Sequence, residues 1–216
     1  MKRSPCASAF TLIEMLTVMA IIAILASIVL SMNGLIQTKA ARAKADGEIH
    51  ALALGCGNYK EDNGTVPRSE ETDALDPKAD GNPATGSAAV RYQKSSLYLY
   101  SALNGDHEPA GNPDFKPEGK SYLAEFFKPS VLSGTKNPNG QLTSVSYIQD
   151  PYGNSYGYST KGAKAEEVFQ DALRKNPSAT RPTKTEGYNT TFDLWSTGGS
   201  VRGASPEDQG KWIKNW

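Results

Sequence analysis

The segment FTLIEMLTVMAIIAILASIVL, residues 10–30, sets the architecture expected of this chain. It has 21 residues and a single charge, Glu14. A helix of that length is roughly 31 Å long, which matches the hydrocarbon core of a bilayer. A secretory signal carries a shorter apolar stretch of about 7–15 residues before a small-residue cleavage site. Ala23 and Ala26 offer such a site, but the run is too long for that reading, so a retained transmembrane helix is expected. Lys2 and Arg3 precede the run, and Lys39, Arg42 and Lys44 follow it. The positive-inside rule is therefore balanced on orientation.

Glu14 is out of place in such a segment. A carboxylate four residues inside an apolar run is costly, and intramembrane ionisable residues are functional by default. The plain alternative is that Glu14 reaches the headgroup layer and is merely tolerated. A functional use needs a cation at the same depth. Cleavage before Phe10 would create one, because the new terminal amine begins the helix. Glu14, fifth from that amine, would pair with the amine of a neighbouring chain.

The stretch AFTLIEMLTVMAIIAILASIVL, residues 9–30, resembles the leader junction and first helix shared by type IV pilins and the pseudopilins of type II secretion systems. In that family a dedicated peptidase cuts before the Phe and methylates its amine. The resemblance implies processing between Ala9 and Phe10, N-methylation of Phe10, and an assembly role for Glu14. Ala9 departs from the Gly usual before the cut, so cleavage is expected to be slower.

Beyond the apolar run the helix is predicted to continue, since no Pro occurs between Pro5 and Pro67. Ala41, Ala45, Ile49, Leu52, Cys56 and Tyr59 recur at spacings of three and four, which puts them on one helical face. A stripe of this width packs on a core, and it spans too few heptads for a coiled coil. Gly34 weakens the helix by up to about 1 kcal/mol relative to Ala and suggests a joint between the two halves. Asn63-Gly64, followed by Pro67, predicts the helix end.

Three further segments resemble major pseudopilins, in family order. YKEDNGTVPRSEETDAL, residues 59–75, is similar to the helix exit. DPYGNSYGYS, residues 150–159, resembles a turn followed by a strand, and FDLWSTGGS, residues 192–200, resembles a strand followed by a loop. Asp150-Pro151 and Gly153-Asn154 have turn chemistry, and Tyr156 and Tyr158 recur on the strand behind them. Val145–Ile148 is a third strand candidate. Residues 76–144 are longer than the family's usual link. They suggest Gly/Pro/Asn-rich loops, a short helix at Ser95–Leu103 ended by Asn104-Gly105, and an aromatic patch at Tyr122–Phe127. AKAEEVFQDALRKN, residues 163–176, reads as an inserted surface helix. Glu166 and Glu167 lie at its start and Arg174 and Lys175 at its end, in keeping with the helix dipole. Val168, Phe169, Ala172 and Leu173 form its apolar side.

Composition removes other classes. Lys plus Arg is 23 and Asp plus Glu is 23, so the whole chain is not a strongly basic nucleic-acid binder. Cleavage would remove Lys2 and Arg3 and leave 21 basic against 23 acidic residues, which gives no support to DNA capture. The 2 Cys, Cys6 and Cys56, and 2 His, His50 and His107, cannot build a zinc cluster or a disulfide framework. Cleavage leaves Cys56 alone, whereas many pilins close a C-terminal loop with a disulfide. Gly153-Asn154-Ser155-Tyr156-Gly157 fits the Gly-x-Ser-x-Gly pattern of a nucleophile elbow, but that motif needs a strand before it and a helix after it. Here a turn precedes and a strand follows, and neither histidine has an acid partner in view. Asn189-Thr190-Thr191 fits a short glycosylation pattern that is common by chance.

The expected fold is α+β. A long N-terminal helix, its first half transmembrane, packs on a small antiparallel sheet with loop-rich and helical insertions at 76–144 and 160–190. The expected organisation is a leader at 1–9, a transmembrane half at 10–30, a soluble amphipathic half at 31–63 and a periplasmic head at 64–216. The resemblance implies a non-enzymatic filament subunit of a type II secretion pseudopilus, held by a single pass in a bacterial inner membrane. Its partners would be further copies of itself, minor pseudopilins, the prepilin peptidase, the inner-membrane assembly platform and lipid, with no nucleic acid. A type IV pilin for adhesion, motility or DNA uptake is the alternative, and a membrane-anchored enzyme or binding domain is a distant one. Major pseudopilins hold calcium in the loop after the Asp-Leu strand. By position the ligands would be the Thr197 carbonyl, Ser200 and one of Glu207 or Asp208. Ser200 replaces a carboxylate with a hydroxyl, so weak or absent calcium binding is expected, with no other cofactor required. Trp212, Ile213 and Trp216 are expected to anchor the C-terminus instead.

Overall fold

The computed structural model describes residues 11–105, 119–123, 125–182 and 186–216, with the side chains of 28–35 outside the description. The chain divides into two compact units, residues 1–40 and 41–216. Helix α1, Leu12–Asn63, begins in the first and ends in the second. It is helical through Gly34, where the sequence suggested a joint. Within a helix of 52 residues, cooperative propagation outweighs one glycine's modest penalty.

In the first unit every described side chain from Thr11 to Ser27 is exposed, with Leu12 at 82 %. Among the described residues no helix is long and apolar enough to cross a membrane. The 10–30 run expected to span begins at Phe10 and ends at residues 28–30, which lie outside the described side chains.

The second unit is built on the stripe. Ala45, Ile49, Leu52 and Cys56 are buried, and Ala41 and Tyr59 are half-buried. They share one core with Leu99, Leu103, Val145, Ile148, Tyr156, Tyr158 and Leu194. The helix stops where Asn63-Gly64 predicts. Gly64 takes a φ of 77° and its N–H donates to the Lys60 carbonyl at 2.8 Å. Positive φ is cheap only for glycine. The short helix α2, Glu70–Ala74, follows under a Ser69 cap.

Helix α3, Gly86–Asn104, is longer than the Ser95–Leu103 helix expected. Its first turns, Gly86-Ser87-Ala88-Ala89, carry little apolar signal, yet Ala89 and Tyr92 are buried and extend the same face backwards. Residues 76–144 are therefore less loop-rich than composition suggested. They also contain strand β1, Leu132–Lys136, which pairs antiparallel with β2, Leu142–Ile148. The aromatic patch closes the core's edge: Tyr122 lies 5.3 Å from Tyr59, and Phe127 lies 5.0 Å from Tyr100.

A second sheet has the order β3-β4-β5, all antiparallel: β3 is Gly157–Ser159, β4 is Asp193–Ser196 and β5 is Ile213–Lys214. Helix α3 ties the sheets together through adjacent serines. Ser96 Oγ accepts the Ile148 N–H of β2 at 2.9 Å, while Ser95 Oγ donates to the Tyr158 carbonyl of β3. A second core gathers Leu75, Tyr92, Trp195 and Trp212. Trp212 stacks on Trp195 at 5.9 Å, so the C-terminal tryptophans anchor the chain end as expected. Gly157 has no room for a side chain, since a Cβ there would lie 2.2 Å from the Trp195 ring.

Helix α4, Lys161–Lys175, is the inserted helix. It is held by polar contacts. Arg68 pairs with Glu167 at 2.8 Å, Lys161 pairs with Asp76 at 3.0 Å, and Glu166 pairs with Arg181. Its apolar side is not a buried one: Val168 is 64 % exposed, and Phe169, Ala172 and Leu173 are half-buried.

Candidate functional site

The three head segments that carried the resemblance meet in space. Tyr158, from the second, donates its hydroxyl proton to the Pro67 carbonyl of the first at 2.7 Å. Thr160, just past the second, shares a buried 2.6 Å hydrogen bond with Thr72 of the first and donates to Asp73 at 2.8 Å. Asp150, opening the second, accepts from Ser196 Oγ of the third at 2.6 Å. Its other oxygen accepts the N–H groups of Tyr152 and Asn154 at 3.0 and 2.8 Å and closes the turn. Burial raises the Asp150 pKa above the ordinary carboxylate value, against the opposing pull of the Ser196 hydroxyl and the turn amides. Asp193 does the same for the chain before β4: it accepts from Tyr188 and Asn189 N–H, each at 2.8 Å, and burial raises its pKa too.

One member of this framework escaped the sequence reading. Glu48, on α1 and outside the apolar stripe read from the sequence, is only 8 % exposed and accepts a 2.6 Å hydrogen bond from the Tyr156 hydroxyl. Its spacing from Ala45 and Leu52, three and four residues, would have found it had the stripe been drawn one position wider. Cys56 lies in the same core, where burial pushes its thiol up to about 12, so it is protonated and unreactive.

Of the processing residues, Ala9 and Phe10 lie outside the described residues, as do the rest of the 1–9 leader and His107. Glu14 is described. It forms a capping box with Thr11, accepting from Thr11 N at 2.8 Å and Thr11 Oγ1 at 2.7 Å, while Glu14 N reaches Thr11 Oγ1 at 3.4 Å. The carboxylate thus satisfies its own helix start within a single chain.

The loop after β4 carries the residues aligned with a calcium site. The Thr197 carbonyl accepts the Ser200 N–H at 3.0 Å. The Asp208 carboxylate accepts from Ser205 Oγ at 2.8 Å, at the start of helix α5, Pro206–Gln209. The open pocket beside the loop is lined by Gly198, Gly199, Ser200, Val201, Arg202 and Lys211 and by neither Glu207 nor Asp208. Calcium needs about 6–8 oxygens with charged ligands among them. Among the described residues no group of three His, Cys, Asp or Glu is placed to hold a metal.

Ser155 is not at a nucleophile elbow. It is buried between β2 and β3 and donates to the Tyr92 and Tyr156 carbonyls at 3.3 and 3.1 Å. His50 is exposed on α1, with Nδ1 2.8 Å from the Asp46 carbonyl. The Asn189 amide is spent on Phe192 and Asn215, so the glycosylation pattern is a structural amide here.

These features define a long-helix α+β protein with a prepilin-type start. Residues 5–30 match the family model described as the prokaryotic N-terminal methylation motif, a pilin-type structural motif that implies prepilin-peptidase processing at the membrane and filament assembly in general. No curated protein and no solved structure matches the chain.

Proposed function

We propose that this chain is a structural subunit of a type II secretion pseudopilus. It would be anchored by residues 10–30 in a bacterial inner membrane with its head in the periplasm, and it would assemble through its N-terminal helix to drive protein export. The observation that carries the reading is the convergence of the pseudopilin-like segments, with Asp150 bonded to Ser196 and Tyr158 bonded to Pro67. Segments far apart in sequence are similar to one family in order, and each bonds to another. Cys56, buried and free, would be the sole cysteine left after cleavage before Phe10, which supports a secretion subunit over a pilin closed by a disulfide. Copies of itself, minor pseudopilins, the assembly platform and the prepilin peptidase are its partners in this proposal.

Two measurements test it. Mass spectrometry of membrane-extracted protein should find a chain beginning at Phe10 with one added methyl on its amine. A start at Ser27 or an intact Met1 would sink the leader assignment. Deleting the gene should trap normally exported proteins in the periplasm and leave surface pili, twitching and DNA uptake unchanged. Loss of pili with export intact would establish the pilin alternative.

A further inference from the structure

We infer that the loop after β4 is an anion site that takes a phosphate group. Arg202 and Lys211 line an open pocket of about 290 Å³ whose wall includes Gly198 and Gly199, and no acidic side chain lines it. Both glycines have positive φ, 61° and 81°, and each brings backbone close to a neighbour. A Cβ on Gly198 would lie 2.6 Å from the Lys211 carbonyl, and one on Gly199 would lie 3.1 Å from the Tyr152 ring. The loop is therefore held against the rest of the head.

A third cation stands at the edge. Arg42, on α1, donates from one guanidinium nitrogen to that same Lys211 carbonyl at 3.1 Å. This places its planar head, which carries five N–H donors, beside the carbonyl that touches Gly198. None of Arg42, Arg202 and Lys211 makes an ion pair among the described residues, although eleven pairs form elsewhere in the head. Ser200 is also in the lining. Of the two acids that follow the loop, Asp208 is engaged with Ser205 and Glu207 does not line the pocket.

Arg202 and Lys211 in the lining, Arg42 bonded at its edge and no acidic side chain between them disfavour calcium and favour an acceptor-rich anion. A tetrahedral phosphate, with up to two charges and several acceptor oxygens, can use two guanidinium forks and an ammonium together, whereas a carboxylate has one charge and two oxygens. The inference stands on this loop alone and does not depend on filament assembly.

The test uses the full chain in neutral detergent micelles at constant ionic strength. Inorganic phosphate is one probe and dihexanoylphosphatidylglycerol, a phosphodiester headgroup, is the other. Thermal unfolding and titration calorimetry should show saturable binding of at least one probe. Arg202→Gln combined with Lys211→Gln should weaken it by at least about tenfold, while Arg202→Lys keeps most of it. Both residues are exposed, so the variants should keep the native near-ultraviolet spectrum of the tryptophan core. Saturation by inorganic phosphate alone identifies a free phosphate ligand, and saturation by the diester identifies a lipid headgroup. The proposal is overturned if neither probe binds, if acetate binds as well as phosphate, if the double variant binds equally, or if calcium stabilises the chain and a chelator reverses it.

Discussion

At the scale of single residues, Asp150 and Glu14 show how one carboxylate chemistry serves opposite ends. Asp150 is buried with a raised pKa, so the folded state holds its proton more readily than the unfolded chain does. Its charge therefore weighs against folding at neutral pH. That burden lifts as pH falls through the raised value and is gone below the ordinary carboxylate range near 3.8. Asp150→Asn keeps one oxygen for the Tyr152 and Asn154 N–H groups and turns an amide toward Ser196 Oγ, which can accept. This variant should be at least as stable as the parent at pH 7 and should lose part of the gain in stability on acidification. Asp150→Ala, which strands the turn amides, should cost about 1–3 kcal/mol. Denaturant melts at pH 7, 5 and 4 compare the three, and an unchanged pH slope in Asp150→Asn would refute the account. Glu14 needs a different separation, because it caps its own helix through Thr11. Glu14→Gln retains an oxygen for Thr11 N but removes the charge. If the carboxylate pairs with a neighbour's amine in the filament, Glu14→Gln and Glu14→Ala should insert normally and yield several-fold fewer filaments. Wild-type assembly by Glu14→Gln would leave only the cap.

At the scale of elements, α1 illustrates what periodicity can and cannot tell. The stripe from Ala41 to Tyr59 was legible because α-helical spacing places those residues on one face whatever they touch. Ile49 is fully buried on that face and Leu54, 64 % exposed, is off it. Ile49→Ala should cost about 2–5 kcal/mol and Leu54→Ala less than about 0.5 kcal/mol, read as shifts in the denaturant midpoint. Equal costs would mean that the helix packs on another face. Helix α3 was only half legible. Ser95, Ser96 and Ser101 are buried on it, and serines at core positions hide a helix from an apolar count. They are tolerated there because Ser95 and Ser96 bond strand backbone groups of both sheets.

At the scale of the whole molecule, the second unit carries its own core, and the intramolecular burial of the α1 stripe within it has a direct consequence. A fragment beginning near residue 35 should be a folded, soluble monomer, since its largest apolar face is already covered. Sedimentation equilibrium checks it, and an obligate dimer would show that the stripe needs a second chain. The proposed assembly then rests on the first unit, whose described apolar residues from Leu12 to Leu25 are exposed.

The prepilin-type start, the α+β class, the end of α1 and the turn-strand segments were all fixed by local chemistry: apolar run length, helical spacing, and turn residues such as Asn63-Gly64 and Asp150-Pro151. These depend on neighbours within a few positions, so they can be read along the chain. The hydrogen bond from Ser196 to Asp150, the one from Tyr156 to Glu48, and the gathering of Arg42, Arg202 and Lys211 at one loop could not be read that way. Their members are separated by 46, 108 and up to 169 residues. No periodicity links such positions, and only the packing of α1 and α3 on the two sheets brings them within reach.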